Sequence, residues 1–329
     1  MLPHVPRSPL SLRTWRLARF ARSSTGRHGP PPFFETTRDT HIMPTTHPMP
    51  LSPQAGISKL PLPPKAMEKG YRLSAATGQH RGDREYQQDQ VGLFSHPRTP
   101  GCVIGIVADG MGGRTGGRKA ADQVMMTACQ LFEQFTPGTD DVLTFLTKIG
   151  REAHTVIHLT AIAAEQEPHS TMATFLINPG GACYWAHSGD SRVYHFRGDR
   201  LFARTRDHSY VQSLVDAGEI SEAEANNHPN SNVLLHCLGP EEDPRIDTFQ
   251  TQLDVGDCLL ACSDGLWHYF TDAELGSVLQ ALPPRDASKF LLEKARERAM
   301  GGGDNLSLAI VKVEPLEGRP AVGSAFAPL

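Results

Sequence analysis

The 329-residue sequence has no long apolar run. Its longest, 102–108, falls far short of the roughly 18 residues needed to cross a bilayer, which excludes a membrane-spanning helix. There is no CxxC pair among Cys102, Cys129, Cys183, Cys237, Cys258 and Cys262, and most of these lie in apolar stretches. They read as small core residues in a reducing compartment, with a disulfide or zinc framework as the alternative. No Gly-Lys-Ser/Thr follows the glycine-rich stretch 110–117, so it is not a phosphate-cradling P-loop. Basic charge is also scarce beyond residue 70, where 22 Lys and Arg face 33 Asp and Glu. Nucleic acid is therefore excluded as a main partner, because phosphate contact needs a basic surface.

Proline and basic charge are concentrated instead in residues 1–70, with 13 of the 26 prolines and 10 Lys and Arg against 3 acids. Runs such as Pro30-Pro31-Pro32 and Pro61-Leu62-Pro63-Pro64 deny the backbone helix and ladder hydrogen bonds, so disorder is expected there. Residues 12–22 have the pattern of a short basic amphipathic helix, which suits a targeting signal or a membrane-surface tether. Met43, Met49 and Met67 leave open the simpler reading of an over-long start. The expected organisation is an N-terminal extension over 1–70, one folded domain over 71–315 and a flexible tail over 316–329.

Within 71–315, short apolar runs at 71–77, 90–94, 103–108, 171–177, 182–187, 192–196, 201–203, 258–262 and 306–313 predict strands. Helical spacing marks 117–135 and 140–166, separated by Pro137-Gly138, then 272–282 and 286–300. Many strands follow one another too closely for helical crossovers, which predicts largely antiparallel sheets with helices outside, an α+β layered domain. The polar stretch 207–229, with short helices at 209–217 and 221–227, reads as an excursion over the surface.

The informative pattern is the position of single aspartates. Asp109 follows the strand 103–108 and Asp264 follows 258–262, each immediately before a glycine. Asp190 closes 184–189, Asp304 stands ahead of the last strand, and Asp89 stands just ahead of 90–94. Glycine lets a backbone or ligand approach closely. Several carboxylates gathered without a cation would raise one another's pKa, with a desolvation cost added. Hard divalent ions relieve that conflict, and an all-oxygen ligand set suits Mg2+ or Mn2+ better than zinc. A lone Asp-Gly is usually only a turn, but five such acids at strand ends are not so readily set aside.

With these residues in view, the sequence resembles the PP2C (PPM) family of metal-dependent serine/threonine protein phosphatases in its bacterial form. The resemblance rests on segments in the family's order: 82–89, 108–113, 187–192, 206–209, 262–267 and 303–307. It implies two packed antiparallel sheets flanked by helices, and hydrolysis of phosphoserine and phosphothreonine esters by water activated at a binuclear Mn2+ or Mg2+ centre. Asp109 then bridges two ions, the Gly110 carbonyl serves one of them, and Asp264 and Asp304 serve the other. Asp89 binds directly or through water, and Asp190 shares a third, weaker ion with Asp264. Arg84 matches the phosphate-binding arginine, and His208 belongs to a mobile flap, with an ordering role preferred to proton transfer. Expected partners are phosphorylated proteins, a serine/threonine kinase among them, and the expected state is a cytoplasmic monomer.

Three positions depart from the family pattern. Gln88 replaces an acid, Met111 replaces a histidine proposed as general acid in many eukaryotic members, and His169 replaces a glycine. The alternative to an active enzyme is a catalytically dead scaffold that binds a kinase or phosphoprotein. Such a protein is expected to lose metal acids, and Asp89, Asp109, Asp190, Asp264 and Asp304 are all present.

Overall fold

The computed structural model describes residues 70–164 and 167–316, so the expectations for the N-terminal extension and for the tail beyond 316 lie outside the described residues. The strands β1 (Tyr71–His80), β2 (Gln90–Ser95), β3 (Val103–Ala108) and a two-residue β4 (Gly110–Met111) lead into the long helices α1 (Gly113–Gln134) and α2 (Val142–Ala164). Strands β5 (His169–Ser170), β6 (Met172–Ile177), β7 (Ala182–Ser188), β8 (Arg192–Arg197) and β9 (Arg200–Arg204) follow. Two short helices, α3 (Tyr210–Asp216) and α4 (Glu222–Ala225), precede β10 (Asp247–Gln252) and β11 (Asp257–Cys262). The one-turn α5 (Asp264–Trp267), then α6 (Asp272–Ala281), α7 (Pro284–Ala299) and β12 (Leu306–Pro315) complete the chain.

Strand order is β1-β12-β11-β8-β9 in one five-stranded sheet and β10-β7-β6-β3-β2 in the other, with β4 and β5 paired apart. Every pairing is antiparallel. Successive strand side chains point to opposite faces, and this alternation builds the layers. In β11, Leu259 and Ala261 face the other sheet and pack with its Phe175 and Trp185, beside Val193 of β8 in their own sheet. Their neighbours Cys258, Leu260 and Cys262 face outward, onto Leu275, Leu279 and Leu291 of the helices. In the second sheet, Ile104 and Ile106 of β3 pack outward against Val124, Phe132, Leu146 and Ile149 of α1 and α2. Strands buried on both faces read as continuous apolar runs, which is why they stand out in the sequence. Each large side chain so buried contributes about 1.5–3 kcal/mol.

The expected α+β sandwich is therefore present, with helices outside two antiparallel sheets. The elements differ from expectation in several places, the two-residue strands β4 and β5 among them. Helix α1 starts at Gly113, not 117, because Gly110 and Gly117 let the helix's first turns lie directly on β4: a Cβ on Gly110 would sit 2.0 Å from the Gly117 carbonyl oxygen. Strand β10, Asp-Thr-Phe-Gln-Thr-Gln, escapes the pattern because it is an edge strand with little to bury. Asp264 begins a helical turn, α5, that a four-residue segment cannot announce. The surface excursion also runs past 229, returning through isolated bridges at Leu234 and Leu238, the latter fully buried.

Register decides where the acids go. Gln90 pairs with Ala108, which sets Asp89 and Asp109 side by side at one end of the second sheet. Met172 pairs with Ser188, bringing the turn that carries Asp190 to the same end. In the first sheet Cys262 pairs with both Leu308 and Arg192, so Asp264 leaves β11 beside the start of β12, where Asp304 stands. His80 pairs with Leu306, and the loop carrying Arg84 begins there too.

Candidate metal centre

These strand ends enclose a cleft of about 260 Å³, lined by Asp109, Gly110, Asp190, Asp264 and Asp304 together with Arg84, Gln88, Met111 and Asn305. Asp89 is fully buried and is not among the lining residues. Its Oδ2 accepts from Ser263 Oγ at 2.7 Å, and Ser263 Oγ in turn accepts from the Ser307 amide at 3.0 Å. The main chain of Asp109 is clamped from β5 and from Thr171, the residue that joins it to β6. Its amide donates to Thr171 Oγ1 at 2.9 Å, while its carbonyl accepts from the Thr171 amide at 2.8 Å and from Ser170 Oγ at 3.1 Å. Trp267 Nε1 donates to the Asp190 carbonyl at 2.9 Å, fixing that turn against α5.

Loop 81–88 is stitched to the start of β12. Asp83 exchanges hydrogen bonds with Gly303, through its amide at 2.9 Å and its carboxylate at 2.8 Å. Asn305 accepts from the Gln88 amide at 2.6 Å and donates to the Arg81 and Tyr86 carbonyls, both at 2.9 Å. This lacing holds Arg84 at the cleft mouth, 62% exposed, with Nη2 donating to Asp304 Oδ2 at 2.5 Å. Gln88, where an acid was expected from the resemblance, donates from Nε2 to the Gly113 carbonyl at 2.7 Å. A carboxylate has no proton to make that bond, so the substitution suits an unusually close α1.

His208, like Asp89, does not line the cleft. It is 3% exposed, its amide donates to the Gly189 carbonyl at 2.9 Å, and its carbonyl accepts from the Leu235 amide at 2.7 Å. It therefore sits in the root of the excursion, away from any substrate. The excursion reaches the cleft instead through Asn232 and Leu234, both beyond the 207–229 limit expected for it. Arg192 gives the root a second anchor. Its Nε and Nη2 donate to the two carboxylate oxygens of Asp207 at 2.8 and 2.7 Å, and its guanidinium lies 3.4 Å from the Trp267 ring centroid. Ser263, Thr171, Asn305 and Arg192 were visible only as members of short motifs. Nothing in their spacing reveals that Ser263 and Thr171 bond to Asp89 and Asp109, that Asn305 laces the Arg84 loop, or that Arg192 holds Asp207.

The electrostatics are strained in one direction. Burial raises Asp109 well above the ordinary carboxylate range, and Asp89, Asp264, Asp190 and Asp304 add to the effect. Burial also raises Asp190 strongly and Asp264 in the same sense, helped by the charge of Asp264 on the first and of Asp304 on the second. Asp89 is pushed up to about 7, chiefly by burial and against the Ser263 hydrogen bond. Asp89 Oδ1 and Asp264 Oδ1 are buried without a hydrogen-bond partner. Buried carboxylate oxygens seldom go unpaired without a reason. Here the oxygen-only donor set, the orphaned oxygens and the mutual repulsion all fit hard divalent cations.

A carboxylate-lined cleft at the shared end of two packed antiparallel sheets, with an arginine at its mouth, defines a metal-dependent hydrolase. The profile of the family described as Protein phosphatase 2C matches residues 78–291. The serine/threonine phosphatase stp of Listeria innocua is 32% identical over 238 residues, covering 70% of this chain and 91% of its own. A crystal structure of the Mycobacterium tuberculosis serine/threonine phosphatase PstP/Ppp superposes with a TM-score of 0.64 at 29% identity, covering 74% of this chain and 99% of that one. The catalytic domain of PstP in complex with two manganese ions superposes with a TM-score of 0.63 at 28% identity, covering 74% and 98% of the two chains. The chain belongs to the protein phosphatase 2C family.

Proposed function

We infer that this protein is a serine/threonine protein phosphatase, hydrolysing phosphoserine and phosphothreonine esters with two Mn2+ or Mg2+ ions, and a third at a weaker position. The observation that carries this reading is the convergence of Asp89, Asp109, Asp190, Asp264 and Asp304 with two orphaned carboxylate oxygens among them. In this reading Asp109 would be the carboxylate shared by the two ions, with the Gly110 carbonyl serving one and Asp264 and Asp304 the other. Asp89 would hold its ion directly or through water, and Asp190 with Asp264 would hold the third. When bound, such a pair of ions supplies water ionised near neutral pH and neutralises developing charge.

The remaining work falls to the chain itself. Arg84 offers N–H groups beyond the one on Asp304, enough to grip two phosphate oxygens and stabilise charge as the ester breaks. Asn305 and Asp83 keep its loop in register with Asp304. Met111 has no proton to give, so the leaving alkoxide takes its proton from water. Asn232 and Leu234 meet the phosphoprotein chain around the phosphate. No helix among the described residues is long and apolar enough to span a membrane. We place the protein in the cytoplasm as a monomer, acting on a serine/threonine kinase and that kinase's substrates. The catalytic domain is 71–315, and residues 1–70 and 316–329 are extensions outside it.

The test is hydrolysis of p-nitrophenyl phosphate and of a phosphothreonine peptide with Mn2+, with and without EDTA. Turnover that requires the metal supports the reading; no turnover, or turnover indifferent to EDTA, overturns it. Deleting residues 1–66 should leave turnover and thermal stability unchanged.

A further inference from the structure

Among the described residues, one cluster of metal-ligating side chains lies outside the carboxylate cleft. His187 at the end of β7, His208 at the root of the excursion and Asp247 at the start of edge strand β10 each offer a donor atom, all within 4.8 Å of one another. The two histidines are 4% and 3% exposed, with ring centroids 4.6 Å apart. His187 Nε2 donates to the Arg206 carbonyl at 2.8 Å, which leaves Nδ1 as a lone pair, and that Nδ1 is buried with no hydrogen-bond partner. His208 Nε2 lies 3.2 Å from Asp247 Oδ2 but is not aligned to hydrogen-bond with it. The two buried imidazoles and the Asp247 carboxylate thus come together, with His187 Nδ1 unpaired by side chains and His208 Nε2 poorly aligned on Asp247.

We propose that His187, His208 and Asp247 form a zinc-binding site separate from the Mn2+ or Mg2+ centre. A backbone carbonyl holding the far nitrogen of a histidine is the support that metal-ligating imidazoles usually have. Two imidazoles and a carboxylate suit Zn2+ with water in the fourth position, whereas the oxygen-only cleft does not. Both imidazoles are kept neutral, the form that ligates. Burial lowers His187, and burial with the neighbouring His187 lowers His208 to about 4. Tetrahedral bonds of about 2.0–2.1 Å need donors about 3.4 Å apart, so Asp247, half-exposed at a sheet edge, turns inward. Arg245, which pairs with Asp247 at 2.7 Å and is 56% exposed, swings into solvent. His208 moves its proton from Nε2 to Nδ1 and gives up a long 3.3 Å hydrogen bond from the Gly189 amide. The ion then ties together the excursion root, the strand leading to Asp190 and the sheet edge.

The experiment uses the full chain in saturating Mg2+, which keeps the oxygen cleft filled, and titrates Zn2+ against a chromophoric chelator, with Co2+ absorption reporting nitrogen ligands. The wild type is expected to bind one Zn2+ that His187→Gln and Asp247→Ala each weaken by more than the roughly 10- to 100-fold that loss of an outer partner costs. Glutamine still donates to the Arg206 carbonyl, and Asp247 is exposed enough for its alanine variant to keep the fold, checked by circular dichroism and Mn2+-dependent turnover. Zinc binding equal in wild type and both variants, or no zinc bound by the wild type, overturns the proposal.

Discussion

Asp89 allows a test in which a loss of charge stabilises the protein. The carboxyl is fully buried and pushed up from 3.8 to about 7. An acid with a raised folded-state pKa contributes stability that is fully present below pH 3.8 and is lost as pH rises through about 7. At 1.36 kcal/mol per unit the loss across that window is roughly 4 kcal/mol. For a domain of this size that lowers the melting temperature by about 8–16 °C. Asp89→Asn removes the charge yet keeps an oxygen for the 2.7 Å bond from Ser263 and puts an N–H where Oδ1 lacks a partner. In EDTA the variant should therefore melt higher than wild type at pH 7.5 and show a much flatter pH dependence. Saturating Mn2+ should narrow the gap, since a ligand at 100 times its Kd adds about 2.7 kcal/mol to the form that binds it, most of the roughly 4 kcal/mol deficit. Differential scanning calorimetry from pH 4.5 to 8, with EDTA and with Mn2+, reads both effects. A variant no more stable than wild type in EDTA at pH 7.5 would refute the account of unrelieved carboxylate repulsion.

Three further outcomes are expected. Asp109→Asn should abolish Mn2+-dependent hydrolysis of p-nitrophenyl phosphate while far-ultraviolet circular dichroism is unchanged; near-normal turnover would remove Asp109 from its bridging role. Arg84→Ala should cost about 100- to 1,000-fold in kcat/KM, with Arg84→Lys recovering only part, because an ammonium cannot grip two oxygens in one plane. Asn305→Ala should cost about 1–3 kcal/mol in urea unfolding, since the Gln88 amide loses its 2.6 Å acceptor, and should raise KM as the Arg84 loop loosens. Asn305→Asp should not rescue it, because a carboxylate would then face the Arg81 and Tyr86 carbonyls.

The layers were legible because their strands are buried on both faces: 103–108, 258–262 and 306–313 appear as apolar runs and fold as β3, β11 and β12. The acids were legible for a related reason, since a single charge at the end of such a run stands out. What escaped depends on tertiary contact. Strand β10 carries Thr and Gln in place of an apolar run, and becomes a strand because β7 offers it a free edge. Helix α1 begins at Gly113, in a glycine stretch of poor helical propensity, because the absence of side chains lets it lie against Gly110. His208 was expected in a mobile flap with an ordering role, and its hydrogen bonds to Gly189 and Leu235 hold it buried at the root of that segment. Its short polar surroundings in the sequence gave no hint of that burial. Ser263 and Thr171 hold Asp89 and Asp109, and Asn305 holds the Arg84 loop, through hydrogen bonds between residues 62 to 224 positions apart, a range that no local pattern encodes.

The pairing of β1 with β12 also has a consequence for the protein's birth. The first and last strands of the domain lie side by side, and the Arg84 loop is laced to residues 303–305. While residues 71–300 emerge from a ribosome, Asp304 and the residues 303–305 that order the Arg84 loop are still held inside it, unavailable for pairing. The catalytic cleft closes only when the carboxyl end of the domain is released. A chain truncated before that strand carries four of the five aspartates, and under the proposed ligand set it should turn over no phosphoester until the last strand is in place.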